Sequence, residues 1–308
     1  MRLTLSSKNT TNQNSTPRQN EAPRLKGGAK LPLLFLLICA QIFLSSCEPT
    51  YPSRTLTQQL TKIAKEEEGL NVNCRIAGKT MWVYVTFEDL IDKTTMAWNS
   101  KDLEKVGKVI SIVHRTVLST DAKLDFLAVV ATDTKNFGVE LKTFEYVPDI
   151  SQAMLEKFSR GEFFARSIRD VSYNPSAIND KTGESNKFYD ITFNQFLCLQ
   201  IIHRAKNLFY KDKELASLFE VRSSSWSEKF GVLKIDLEFM KKRYDLTPAE
   251  EKIDPLDLVR MLAAQIVKNY DHRAFQAIEL TDTFSKKSVK LSLADLKKIK
   301  IKLPEVPE

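Results

Sequence analysis

Four times along this sequence, a stretch with apolar residues at helical spacing is followed by two short stretches in which apolar and polar residues alternate. The first period marks a helix that buries one stripe, and the second marks a strand that buries one face. Leu56, Leu60 and Ile63 recur helically as far as Gly69, a residue suited to the left-handed turn that ends a helix. Segments 70–77 and 80–87 follow, joined by Gly78-Lys79, with Val72, Cys74 and Ile76 on one side of the first and Met81, Val83, Val85 and Phe87 on one side of the second. That pattern predicts a hairpin. Ser100 caps a second helix striped by Leu103, Val106, Ile110, Val113 and Val117, and strands follow near 123–132 and 137–147 around Asp133-Thr134-Lys135-Asn136. A helical stretch spans 150–170 with an interruption at Gly161. Thr192 begins a helix to Tyr210 followed by strands at 216–224 and 229–239, and Pro255 opens a helix to Tyr270 followed by strands near 273–282 and 287–292.

A hairpin or an amphipathic helix cannot bury its apolar side alone, so the expected class is α+β, two lobes of helix-strand-strand units with helices packed on antiparallel sheets. The polar segment 172–187 separates a first lobe, 55–171, from a second, 188–303, and reads as a linker. Phe87-Glu88-Asp89-Leu90 and Leu293-Ala294-Asp295-Leu296 each follow a second strand, yet element order with so little shared sequence is what a simple architecture produces by itself. No apolar run reaches the roughly 20 residues of a spanning helix, which excludes a multi-pass membrane protein. The net charge of +7 invites a nucleic-acid reading until it is located. Residues 1–46 hold six Lys and Arg against one Glu, leaving 40 basic against 38 acidic residues elsewhere. The basicity belongs to the N-terminal segment, and no nucleic-acid partner is expected.

That segment is polar and rich in Ser, Thr and Asn up to residue 30, with Arg24, Lys26 and Lys30 just ahead of an uncharged run from Leu31 to Leu44. Fourteen apolar residues are too few to cross a bilayer comfortably and enough for the hydrophobic region of an export signal. The run ends in Leu44-Ser45-Ser46-Cys47, which resembles the lipobox of bacterial lipoproteins: a branched residue, two small residues, then Cys. The resemblance implies removal of residues 1–46 as a signal peptide, acylation of Cys47, and a tether at 47–54. Two or three acyl chains hold a protein firmly at a membrane where one holds it marginally. The expected location is therefore the bacterial cell envelope, lipid-anchored and facing the periplasm, and Glu48 in place of the Asp that retains such proteins inside favours the outer membrane.

With Cys39 removed and Cys47 acylated, Cys74 and Cys198 remain. Both sit among apolar neighbours and read as buried small hydrophobes, with a disulfide between them as the alternative in an oxidising compartment. His114, His203 and His272 are dispersed without metal-ligand spacing, and no nucleophile, phosphate-loop or dinucleotide motif occurs, so neither metal nor cofactor is expected. Asp121 and Asp125 beside His114 make an acid/base grouping, but a turn role for Asp121 and an interfacial helix role for His114 explain these residues better. Seven Lys between 286 and 302 read as a solvated amphipathic end.

Alternation turns Trp82, Tyr84, Phe144 and Tyr146 away from the helices. Exposed together, they form a surface for a glycan or an envelope protein, since Tyr and Trp give large contact area at low entropic cost. Strand 123–132, apolar on both sides, argues instead for a sheet covered on both faces. The expected function is a non-catalytic binding or envelope-assembly component. An envelope hydrolase with an unfamiliar site and a solute or lipid carrier are the alternatives.

Overall fold

A computed structural model describes residues 50–183, 185–270 and 272–304, all within one compact unit, Pro49–Glu308. The leader, its lipobox and the start of the tether, including Cys39 and Cys47, lie outside the described residues.

Helix α1 (Leu56–Glu68) ends on Gly69 at φ 67, and strands β1 (Val72–Ala77) and β2 (Thr80–Phe87) form the first hairpin. Helix α2 (Ser100–Leu118) is capped by Asn99, one residue before the Ser100 expected in that place, because the Asn99 side chain accepts from the Lys101 N–H. Strands β3 (Phe126–Asp133) and β4 (Val139–Tyr146) follow. The helical stretch expected over 150–170 is two short helices, α3 (Val147–Met154) and α4 (Arg160–Arg166), and a strand, β5 (Ile168–Tyr173). Ser159 restarts the helix by accepting from the Glu162 N–H, and after Ser167 the chain pairs with β4. The second half runs α5 (Phe193–Lys211), α6 (Lys213–Leu218), β6 (Phe219–Lys229), β7 (Val232–Lys241), α7 (Pro255–Asn269), β8 (Ala277–Asp282), β9 (Lys287–Ser292) and α8 (Leu293–Lys298).

The class is α+β, with sheets ordered β1-β2-β3-β4-β5 and β6-β7-β8-β9. The hairpins are antiparallel as expected, but β2 with β3 and β7 with β8 run parallel, so both sheets are mixed. Helices α2 and α7 are the reason: each crosses over between hairpins and returns the chain in its original direction. Among the described residues no helix is long and apolar enough to cross a bilayer.

On one face of the first sheet, Leu56, Leu60, Val106 and Val113 of α1 and α2 pack against Met81, Val83, Val85 and Leu127. In the second half, α5 and α7 cover Leu233, Ile235, Leu237 and Ile278. Helix α5 serves both sheets. Its Leu197, Cys198 and Ile201 enter the second core, while Phe193, Phe196 and Leu199 meet the other face of the first sheet. A helix apolar on more than one side belongs between layers, and this one is placed there.

The segment 172–187, expected as a linker, begins inside β5 and continues as a strap across the first sheet. Asn179 N–H donates to the Thr134 carbonyl at 2.8 Å, Tyr84 Oη to the Asp180 carbonyl at 3.3 Å, Trp82 Nε1 to the Tyr189 carbonyl at 2.8 Å, and Ile191 N–H to Thr80 Oγ1 at 2.8 Å. Burial by itself raises Asp180, but donors from Ser185 and Thr182 outweigh it and hold this carboxyl far below the usual range. Gly183 has φ 77, and a Cβ there meets Tyr84 Cδ1 at 2.5 Å, so only glycine lets the strap lie this close.

Both sheets carry the same corner. Thr132-Asp133-Thr134 ends β3 and Thr281-Asp282-Thr283 ends β8. Thr134 N–H donates to the Phe87 carbonyl and Thr283 N–H to the Leu237 carbonyl, each at 2.9 Å. In each corner the aspartate is buried. It accepts from the N–H two residues on, at 3.1 Å in both, and from the strand or loop alongside, Ile91 N–H at 3.0 Å and Phe239 N–H at 3.3 Å. The second half thus repeats the order of the first four strands, the crossover and the corner, without a counterpart of β5, and the sequence carries the shared Thr-Asp-Thr that element order alone lacked.

Candidate functional site

The four aromatics expected as a possible ligand surface are interior. Trp82, Tyr84 and Phe144 are buried, and Tyr146 packs with Phe126, Phe193 and Tyr270. The alternation placed them on the correct face, and that face is covered by the strap and α5 because β3 is apolar on both sides and has none to give to water. Trp82 meets Phe144 and Phe188 edge-on, at 5.9 and 5.8 Å.

A concave, partly open space lies on the opposite face, where α2, α3 and α4 meet. It is a pocket of about 560 Å³ walled by Ile150, Ala153 and Met154 of α3, Phe158 and Phe163, with His114 of α2 as its polar wall. Arg160 and Glu156 stand among its lining. Behind His114 is Glu145 of β4, a carboxylate only 3% exposed, on the strand face that Leu141 shares with the helices. Its Oε2 lies 2.5 Å from His114 Nε2, and its Oε1 accepts from Ser167 Oγ at 3.2 Å. A buried charge needs such partners. They also turn the imidazole, whose edge meets Phe163 at 5.9 Å.

Hydrogen-bond order decides what this group can do. A serine nucleophile must be bonded to the imidazole that takes its proton. Here Ser167 bonds the carboxylate and the Phe163 carbonyl, and Ser159 is occupied as the cap of α4. The other candidate groups lie elsewhere. Asp121 accepts from Ser53 N–H at 2.6 Å, Asp125 pairs with Lys79 at 2.9 Å, and His272 bonds Asn194. His203 lies between Asn207 and the β5 backbone, and burial pushes it down to about 4. Cys74 and Cys198 are free thiols, and burial pushes both up to about 12, which leaves them protonated and inert. Among the described residues no cluster of His, Cys, Asp and Glu could hold a metal ion.

The far wall of the pocket is held by the second half of the chain. Phe158 lies under the Arg166 guanidinium at 4.4 Å, and Arg166 bonds Asp149 at 3.1 Å and Glu162 at 2.9 Å. Tyr270, at the end of α7, donates to Asp149 at 2.8 Å. Gln200 of α5 donates to Tyr270 Oη and to the Arg166 carbonyl, and Asn269 donates to Glu162. Burial raises Asp149 above the usual carboxylate range, with Tyr270 and Arg166 opposing the rise. Burial and then Asp149 raise Tyr270.

The pocket and the first described residues share one end of the first sheet. Tyr51 N–H donates to the carbonyl of Ser119, just past α2, and Ser53 is bonded to Asp121. Val147, the first residue of α3, donates to the Asp125 carbonyl, and Tyr146 pairs with Phe126.

No family model matches the chain, and no curated protein or solved structure is similar to it.

Proposed function

We propose that this chain is a lipid-anchored protein of the bacterial cell envelope, held at Cys47 and facing the periplasm, and that it works as a non-catalytic binding component whose site is the pocket between α2, α3 and α4. The anchor rests on Leu44-Ser45-Ser46-Cys47 and the uncharged run ahead of it. One structural observation supports the binding role: the pocket lies at the end of the sheet where the tether enters, with apolar walls and a single histidine whose Nε2 is taken by a buried glutamate. Ligand sites are typically concave, mostly apolar and supplied with few fixed polar groups.

Fractionation of cells making the full-length protein tests the anchoring. The wild type is expected to sediment with membranes and to resist salt extraction, because acyl chains are held by burial of CH₂ groups and not by charge. Cys47→Ser is expected to shift at least tenfold toward the soluble fraction. Equal partition of the two proteins, or release of the wild type by salt alone, contradicts the anchor.

A further inference from the structure

The polar wall of the pocket determines which chemistry its occupant carries. We propose that the pocket takes a small, neutral, apolar molecule bearing one hydroxyl group, an inference that rests on the binding role given to it above. Ile150, Ala153, Met154, Phe158 and Phe163 offer hydrocarbon to an alkyl chain or a ring. The volume of about 560 Å³ falls within the usual range of small-ligand sites, roughly 300–1,000 Å³. The charges in the lining do not select an ion. Glu156 and Arg160 are both exposed and of opposite sign, and the Arg160 guanidinium lies over Phe164 at 5.3 Å, a ring outside the lining.

The selection falls to His114. Its Nε2 lies 2.5 Å from Glu145 Oε2, and an ionised carboxylate only accepts, so this bond assigns a proton to Nε2. The other ring nitrogen, Nδ1, has no hydrogen-bond partner among the described residues and is not sealed from solvent. It is the atom left for a ligand. Nδ1 accepts when the ring is neutral and donates when the ring is an imidazolium. A hydroxyl does both through a single oxygen, so it pairs with either form. A carboxylate on the ligand cannot donate, and beside the neutral ring it meets the buried charge of Glu145. An ammonium brings three donors, of which Nδ1 satisfies one. A neutral hydroxyl on an apolar body is the group that leaves nothing unpaired.

Three probes of one shape test this on the full-length protein in lipid nanodiscs: para-butylphenol, para-butyltoluene and para-butylbenzoate, which end in a hydroxyl, a methyl and a carboxylate. Binding is read by equilibrium dialysis, and protein-free nanodiscs subtract what dissolves in lipid. The phenol is expected to bind about fivefold tighter than the toluene, the usual worth of one net hydrogen bond, and tighter still than the benzoate. Ala153→Leu, which narrows the pocket, is expected to weaken phenol and toluene alike. His114→Phe combined with Glu145→Leu removes the ring together with the carboxylate it would strand, and phenol and toluene should then bind equally. The wild type gives a readout that needs no variant: the Nδ1 nitrogen resonance of His114 should move on adding the phenol and stay in place on adding the toluene. Equal affinity for phenol and toluene in the wild type, tightest binding of the benzoate, an unmoved Nδ1 resonance, or a preference that survives loss of His114 overturns the inference alone. Saturable binding of none of the three, or binding that Ala153→Leu leaves unchanged, overturns it together with the binding role beneath it.

Discussion

Replacing Arg166 with Ala should lower the unfolding free energy by about 3–5 kcal/mol near neutral pH, the usual cost of leaving a buried charge without its partner. The Arg166 and Asp149 side chains are only 12% and 4% exposed, so solvent screening offsets little of the loss. The cost should shrink in mild acid. Burial raises Asp149 in the folded protein, so the native state holds a proton more tightly than the unfolded chain, and stability falls as pH climbs from the ordinary aspartate value through the raised one. Arg166 opposes that rise. Without it Asp149 moves higher, and the falling limb extends toward neutrality. Urea unfolding of wild type and Arg166→Ala at near-neutral and mildly acidic pH checks this, and adding Asp149→Asn to the variant should recover about half of the loss by removing the stranded charge. A loss under about 1 kcal/mol, or one that does not change with pH, contradicts the buried Arg166–Asp149 pair.

The second large effect is expected at the repeated corner. Asp133 is fully buried and accepts from Ile91 N–H, Lys135 N–H and Asn136 N–H at 3.0, 3.1 and 2.7 Å. Asp133→Ala strands three backbone donors, each costing roughly 1–3 kcal/mol when left unpaired out of water, for a total of about 3 kcal/mol or more. Asp282 makes the matching contacts with two backbone N–H groups and the Ser285 hydroxyl. Ser285 can turn toward water, so Asp282→Ala should cost less. Chemical denaturation of the two variants gives the ranking, and amide exchange should quicken at Ile91 only in the first. Equal costs, or protection at Ile91 that survives Asp133→Ala, contradict the role given to the corner.

Sequence periodicity carried the α+β class and the four helix-hairpin units because both periods are local. The parallel joins between hairpins were not visible, since a strand reads the same whichever direction its neighbour runs. Strand β5 was hidden for a related reason: Arg169 and Asp170 are exposed on an edge, so its residues lack the alternation that marks a half-buried strand, and pairing with β4 alone makes it one. The strap resembled a linker because it is rich in Ser, Asn, Asp and Gly. Those residues form turns as readily as they form linkers, and Asp180 uses them to fold the segment onto Tyr84.

The pocket was harder still. In the sequence His114 stands alone, because its partner is 31 positions away. Glu145 did leave a signal, a carboxylate at an inward position on a strand whose other inward residues include Leu141, just as Asp149 is a charge on the buried side of α3. Charged residues at positions the pattern assigns to the core mark networks that only the tertiary fold completes.

The proposed anchoring at Cys47 can be read from the intact mass of the mature protein purified from its native membrane. The expected chain begins at Cys47, is heavier than its residues by diacylglycerol and a further acyl group, and has no free thiol at that position. A mass matching an unmodified Cys47, or a chain still carrying residues 1–46, contradicts it.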